Sequence, residues 1–188
     1  MAQQCKSEEY RQSPHAGTWY PGQADSLKKQ IHSYLDNAQV KVAGEIFGLI
    51  SPHAGYVYSG PVAAFAYQTV QGLKYDAAII IGPSHYFGFK GASIDTFKGR
   101  ITPLGTVNFD VELAKRIIKN NRLLGFEAAA HVQEHSVEIQ EPFIQTVLKN
   151  VKTVEIVMGS QDYETCEILS NAIYEASKGK KILIIASS

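Results

Sequence analysis

Two stretches decide the fold. Glu45-Ile46-Phe47-Gly48-Leu49-Ile50 runs into Ser51-Pro52-His53-Ala54-Gly55, and Ala77-Ala78-Ile79-Ile80-Ile81 runs into Gly82-Pro83-Ser84-His85. Each is a short apolar run closed by turn-forming residues, the pattern of a buried β-strand. Outward from these, Val154-Glu155-Ile156-Val157-Met158 and Lys181-Ile182-Leu183-Ile184-Ile185 repeat the pattern. Helical periodicity fills the intervals. A helix is predicted from Asp25 to Asn37, capped by Asp25 or Ser26, with Leu27, Ile31, Tyr34 and Leu35 on one face. Others are predicted from Pro61 to Val70, from Asp110 to Asn121 (burying Val111, Ala114, Ile117 and Ile118) and from Asp162 to Ser177. A further helix begins near Glu134 and runs towards Lys149, bent at Pro142, which lacks a donor for the helix ladder. Gly91 to Val107 carries weaker strand signals, a hairpin or an irregular edge. Strands separated by helices give an α/β fold, a largely parallel central sheet covered by helices on both faces. Ligands in such sheets bind beyond the carboxyl ends of the strands, and His53 and His85 both stand there.

The chain has 188 residues, which fits one domain spanning 1–188. Eighteen basic residues balance eighteen acidic ones, so nothing in the charge points to nucleic acid or an anionic membrane as a partner. No apolar run approaches the roughly 20 residues that span a bilayer, and the polar stretch Met1–Tyr10 lacks the core of a secretion signal. A cytoplasmic location is therefore expected. Two cysteines, Cys5 and Cys166, make no disulfide framework; Cys166 is expected to be buried on its helix, and Cys5 receives no role. The last apolar strand stops at Ser188 without a helix to cover it, so a longer parent protein is expected.

Both His53 and His85 follow strands through small residues that let the backbone present an imidazole to a pocket. Two neutral imidazoles suit iron, copper or zinc, and non-haem iron commonly adds a carboxylate. A single such histidine would read as a strand-end cap; two in matching contexts favour a site. His131-Val132-Gln133-Glu134-His135-Ser136-Val137-Glu138 is the third cluster. Acidic groups suit the start of a helix, and capping accounts for Glu138. His135 reads as an acid/base group or a substrate contact, because its ordinary pKa lies near neutrality. His131 reads as a loop residue and His32 as a solvated one.

Four motifs together resemble the Memo family: His15-Ala16-Gly17-Thr18-Trp19-Tyr20, Pro52-His53-Ala54-Gly55-Tyr56-Val57-Tyr58-Ser59-Gly60, Gly82-Pro83-Ser84-His85 and Glu134-His135-Ser136-Val137-Glu138. They occur in family order and cover most of the chain, which looks like the family's amino-terminal part. The family in turn resembles class III extradiol ring-cleavage dioxygenases, non-haem iron(II) enzymes, and that catalytic-subunit fold is the one implied. The resemblance implies that His53 and His85 match two metal ligands and that His135 matches a substrate-facing histidine. It places Trp19 and Tyr58 on the cleft, and His15, Ser84 and Glu134 complete the predicted pocket lining. It also implies an Asp, a His and a further ligand beyond residue 188.

Three functions follow as expectations. The first is a metal-dependent redox enzyme related to the dioxygenases, with iron ahead of copper or zinc. The second is a non-catalytic module that holds a peptide or small ligand in the same cleft. The third, ranked below both, is a zinc hydrolase-like pocket, because no carboxylate is obviously placed as its general base.

Overall fold

The computed structural model describes residues 9–119 and 121–188, so Cys5 lies outside the described residues. The strands are β1 (Tyr10–Gln12), β2 (Gly48–Ser51), β3 (Ala77–Pro83), β4 (Ala92–Ile94), β5 (Gly99–Thr102), β6 (Gly105–Asn108), β7 (Leu124–Gly125), β8 (Lys152–Met158) and β9 (Ile182–Ser187). The helices are α1 (Ala24–Asn37), α2 (Tyr56–Gln68), α3 (Val111–Ile118), α4 (Ala128–Val132), α5 (Glu141–Val147) and α6 (Tyr163–Ala176). Six strands form the main sheet in the order β2-β9-β3-β8-β4-β7. All neighbours in it are parallel except β8 and β4. A second sheet, β1-β5-β6, takes up the hairpin signal between Gly91 and Val107. The α/β class and the largely parallel sheet are as the sequence implies.

Alternation along β3 explains the two layers. Successive strand side chains point to opposite faces. Ala78 and Ile80 join Leu27, Ile31, Tyr56, Tyr67 and Phe143 from α1, α2 and α5 on one face. Ala77 and Ile79 meet Leu113, Ile117, Leu169 and Ile173 from α3 and α6 on the other. The strand is buried on both sides, so its sequence is apolar throughout rather than alternating.

Several local expectations change. Among the described residues β2 is an edge strand, not a buried one: Ile50 is 76% exposed, with no described helix over it. Helix α2 starts at Tyr56, five residues before Pro61, and Pro61 sits on its exposed side, where solvent can satisfy the carbonyl left without a donor. Pro142 opens α5 instead of bending a longer helix; a 3₁₀ turn over Glu138–Gln140 precedes it. In α3 the inward face is Leu113, Ala114 and Ile117, with Asp110 capping through the Leu113 N–H at 3.0 Å. Cys166 is exposed, not buried. Thr165, Leu169 and Ile173 take the inward stripe of α6, leaving Cys166 on the flank that faces the bare end of the sheet beside Phe47 and Ile184. No helix among the described residues is long and apolar enough to cross a membrane.

Candidate functional site

The sheet order puts β2, β9 and β3 side by side, so their carboxyl ends form one rim. His53 leaves β2, His85 leaves β3, and Ser187 ends β9 between them. The imidazole centroids of His53 and His85 lie 5.2 Å apart. His135 arrives from the loop before the 3₁₀ turn, with its ring 4.3 Å from that of His85 and 5.5 Å from that of His53. One ring nitrogen from each of these three histidines falls within 4.8 Å of the others.

A glycine makes that approach feasible. A Cβ on Gly82 would sit 2.5 Å from Ser136 Oγ and 2.8 Å from its Cβ. Only the bare glycine backbone lets the Glu134–Ser136 loop lie against the end of β3. The Ser136 hydroxyl secures the contact by donating to the Pro83 carbonyl at 2.9 Å.

Glu134 sets the orientation of His85. Its carboxylate accepts from His85 Nδ1 at 2.9 Å and from the His85 backbone N–H at 2.6 Å. It also accepts from the backbone N–H groups of His135 and Ser136 at 2.9 and 2.8 Å. Burial alone would raise the Glu134 pKa, but these N–H groups outweigh burial and hold it below the ordinary carboxylate value. A carboxylate facing Nδ1 requires the proton there, so His85 offers the lone pair of Nε2 to the pocket. This is the carboxylate–histidine arrangement that commonly supports a metal ligand. His53 has its own partner, Ser187 Oγ, at 3.1 Å from Nδ1.

His135 differs from both. Its Nδ1 is buried and has no hydrogen-bond partner. Burial lowers its pKa to about 4; Glu134 opposes that shift, while the His85, His53 and His15 imidazoles add to it. His135 is therefore uncharged at neutral pH. Burial also lowers the pKa of His53, aided by His85. Neutral, closely spaced nitrogens with one orphaned ring atom are chemically suited to a transition metal.

The surrounding cleft encloses about 620 Å³ and is lined by Thr18, Trp19, His53, Tyr58, His85 and His135, among others. Trp19 lies against His135, ring centroids 4.2 Å apart, and its carbonyl accepts from the Tyr56 N–H at 2.8 Å, tying the amino-terminal loop to α2. Tyr58 stands at the rim, 82% exposed. His15 sits behind Trp19, with Nδ1 3.1 Å from Glu138. Ser84 turns its hydroxyl to the Phe87 carbonyl at 2.7 Å. Glu138 is no helix cap: it is fully buried and accepts from His15, Tyr20 and Arg100. Ser187 escaped the sequence reading, because an apolar strand gives no sign that its last hydroxyl will meet a residue 134 positions away.

His131 is likewise not a loop residue. It lies in α4, buried beside Asp95 and Glu155, and the three form a second group of closely spaced donor atoms. Here guanidinium groups already occupy the carboxylates. Arg11 pairs with Asp95, and Arg100 donates to both oxygens of Glu155 at 2.9 and 2.6 Å. Their positive charge disfavours a cation, so the group reads as a buried ion network that fastens β1 to the end of β4 and β5 to β8.

The family model for Memo-like proteins matches residues 11–188. A MEMO1 family protein of Pyrobaculum aerophilum is 42% identical over 92% of this chain and 65% of its own length. One of Nitrosopumilus maritimus is 34% identical over the same shares of each chain, and one of Pyrococcus furiosus is 37% identical over 95% of this chain and 63% of its own. The chain thus spans slightly less than two thirds of these relatives. With its four motifs folded around one rim and matched along nearly their whole extent, the chain belongs to the Memo family.

Proposed function

We propose that this chain supplies the histidine part of a divalent-metal site, iron first and copper or zinc after it, in a redox protein related to the extradiol dioxygenases. The observation that carries the reading is the convergence of His53, His85 and His135 to within 4.8 Å. His53 and His85 would hold the metal through Nε2. Once bound, such a metal supplies Lewis acidity and, if iron or copper, one-electron chemistry.

The chain's own residues set the rest. Glu134 keeps the His85 proton on Nδ1 and the lone pair turned inward. Trp19 and Pro52–Gly55 wall the cleft beside the imidazoles. His135, uncharged and facing the cleft, is placed to accept a proton from a bound ligand hydroxyl. Its distance to the other two nitrogens favours a second role as a third nitrogen donor. Glu134, committed to four N–H groups, is the neighbouring carboxylate, so the described residues do not complete a two-His-one-carboxylate set around His53 and His85.

Metal content decides the reading. Purified protein loaded anaerobically with iron(II), copper or zinc should retain close to one equivalent, and the His53→Ala/His85→Ala double variant should retain none. Equal content in both would overturn the site. His135→Ala should keep the metal and lose turnover of catechols with O₂ if the residue handles protons, and lose the metal if it is a ligand. The exposed aromatic rim of Tyr58 and Tyr86 favours one further reading, a cleft that binds a peptide or small ligand without catalysis. Bound metal with no O₂ consumption above free iron would select it.

A further inference from the structure

Behind His53 runs a buried chain of hydrogen bonds that the motifs do not reveal. Tyr67 OH donates to Gln140 Oε1 at 2.7 Å. Gln140 Nε2 lies 3.1 Å from the Pro52 carbonyl and 2.7 Å from Ser187 Oγ. A carbonyl only accepts, so the amide nitrogen must face Pro52, and the Gln140 orientation is settled. Ser187 Oγ in turn lies 2.5 Å from the Ser136 carbonyl and 3.1 Å from His53 Nδ1.

The hydroxyl has one hydrogen and two lone pairs. Two oxygens at 2.5 Å need a hydrogen between them, so the Ser187 proton points to Ser136. One lone pair accepts from the Gln140 amide. The other is left facing His53 Nδ1, and it can only accept. From this we infer that Ser187 is a positioning residue for His53: with its hydrogen held by the Ser136 carbonyl and one lone pair taken by Gln140, it fixes the imidazole as the Nδ1–H tautomer and turns the Nε2 lone pair into the cleft. His85 gets the same tautomer from a carboxylate; His53 gets it from a neutral hydroxyl whose own hydrogen is committed elsewhere. The relay also ties β9 to the Pro52 turn and to the 3₁₀ turn, so one side chain aligns three segments of the rim.

The consequence for metal binding rests on the function proposed above, whereas the tautomer itself does not. Long-range ¹H–¹⁵N correlation spectra of the metal-free protein at neutral pH read it directly. The wild type should show His53 with a protonated Nδ1 and an unprotonated Nε2. Ser187→Ala removes the acceptor and should shift His53 towards the Nε2–H form or a mixture, whereas Ser187→Thr keeps the hydroxyl and should retain the original pattern. Gln140→Leu leaves the Ser187 hydrogen on the Ser136 carbonyl and should keep the wild-type tautomer. Metal affinity should fall about 10- to 100-fold in Ser187→Ala and hold in Ser187→Thr. An Nε2–H tautomer in the wild type, or an unchanged tautomer in Ser187→Ala, would overturn the inference. Correct tautomers in a wild type that binds no metal would sink the metal reading and leave the relay standing.

Discussion

At the scale of single residues, Glu134 shows how little freedom the site leaves. All four of its hydrogen-bond partners are N–H groups: two from His85 and the backbone ones of His135 and Ser136. A carboxylate can accept from all four; an amide cannot. In Glu134→Gln the less costly orientation puts the new NH₂ in place of Oε2, so the His85 backbone N–H loses its partner; the reverse would strand three N–H groups. Leaving such a group unsatisfied costs on the order of 1–3 kcal/mol. We expect Glu134→Gln to lose about that much stability in urea melts and about 10- to 100-fold in metal affinity by calorimetric titration. An affinity equal to wild type would mean that His85 does not depend on Glu134 for its orientation. Read from sequence, Glu134 has a place in the pocket but not this task, because a Glu-His pair in a loop reads as readily as helix capping.

Among the elements, the strands were the most legible and the joins between them the least. Ala77–Ile81 and Val154–Met158 are long apolar runs whose burial follows from composition alone, and they form the centre of the sheet. β2 looks equally apolar in sequence yet lies at an edge, since strand order is decided by which partners are already paired. His53 and His85 were visible because each ends a strand. Ser187 and Gln140 were not, because their roles depend on contacts across 47 to 134 positions. Arg100 was overlooked for a similar reason. On β5 it is 1% exposed, clamps Glu155 on β8 with Nε and Nη2, and reaches Glu138 behind His15 with Nη1. Its cation is what makes three buried acids tolerable together: Glu155, Glu138 and Glu141, whose own pKa burial and Glu155 raise well above the ordinary value. Arg100→Ala removes one partner of a buried pair, and such losses cost about 3–5 kcal/mol. We expect a correspondingly lower urea midpoint, with the β1-β5-β6 sheet losing amide-exchange protection first. Wild-type stability in this variant would show that the network is dispensable.

For the whole molecule, the buried histidines set the response to acid. Burial is the largest cause lowering the folded-state pKa of His53, His131 and His135 below the ordinary 6.5, in the last case to about 4. In the unfolded chain these imidazoles take up protons as pH falls through about 6.5, while the folded protein resists. The unfolded state then binds more protons, so stability is fully present above pH 6.5 and declines as pH falls towards the folded values. Glu141 works the other way: burial keeps its proton on when folded, so it adds stability as pH falls towards 4.5. Between pH 6.5 and 4.5 the three histidines thus pull against this one carboxyl. Below that, Glu134 and Asp110, both held under their ordinary values once N–H and Lys180 contacts outweigh burial, act in the same destabilising direction as the histidines. The metal-free protein, kept in chelator, should therefore show a urea midpoint that is flat from pH 8 to 7 and falls steadily from pH 6.5 to 5. His131→Gln removes one of the three imidazoles without touching the cleft, and its midpoint should fall less steeply over the same range. Added metal should raise the midpoint at neutral pH and steepen its fall in acid, because it keeps its imidazole ligands unprotonated in the folded state alone until protons compete it away. A midpoint that does not move between pH 7.5 and 5 in chelator would mean that these imidazoles are not held neutral by the fold.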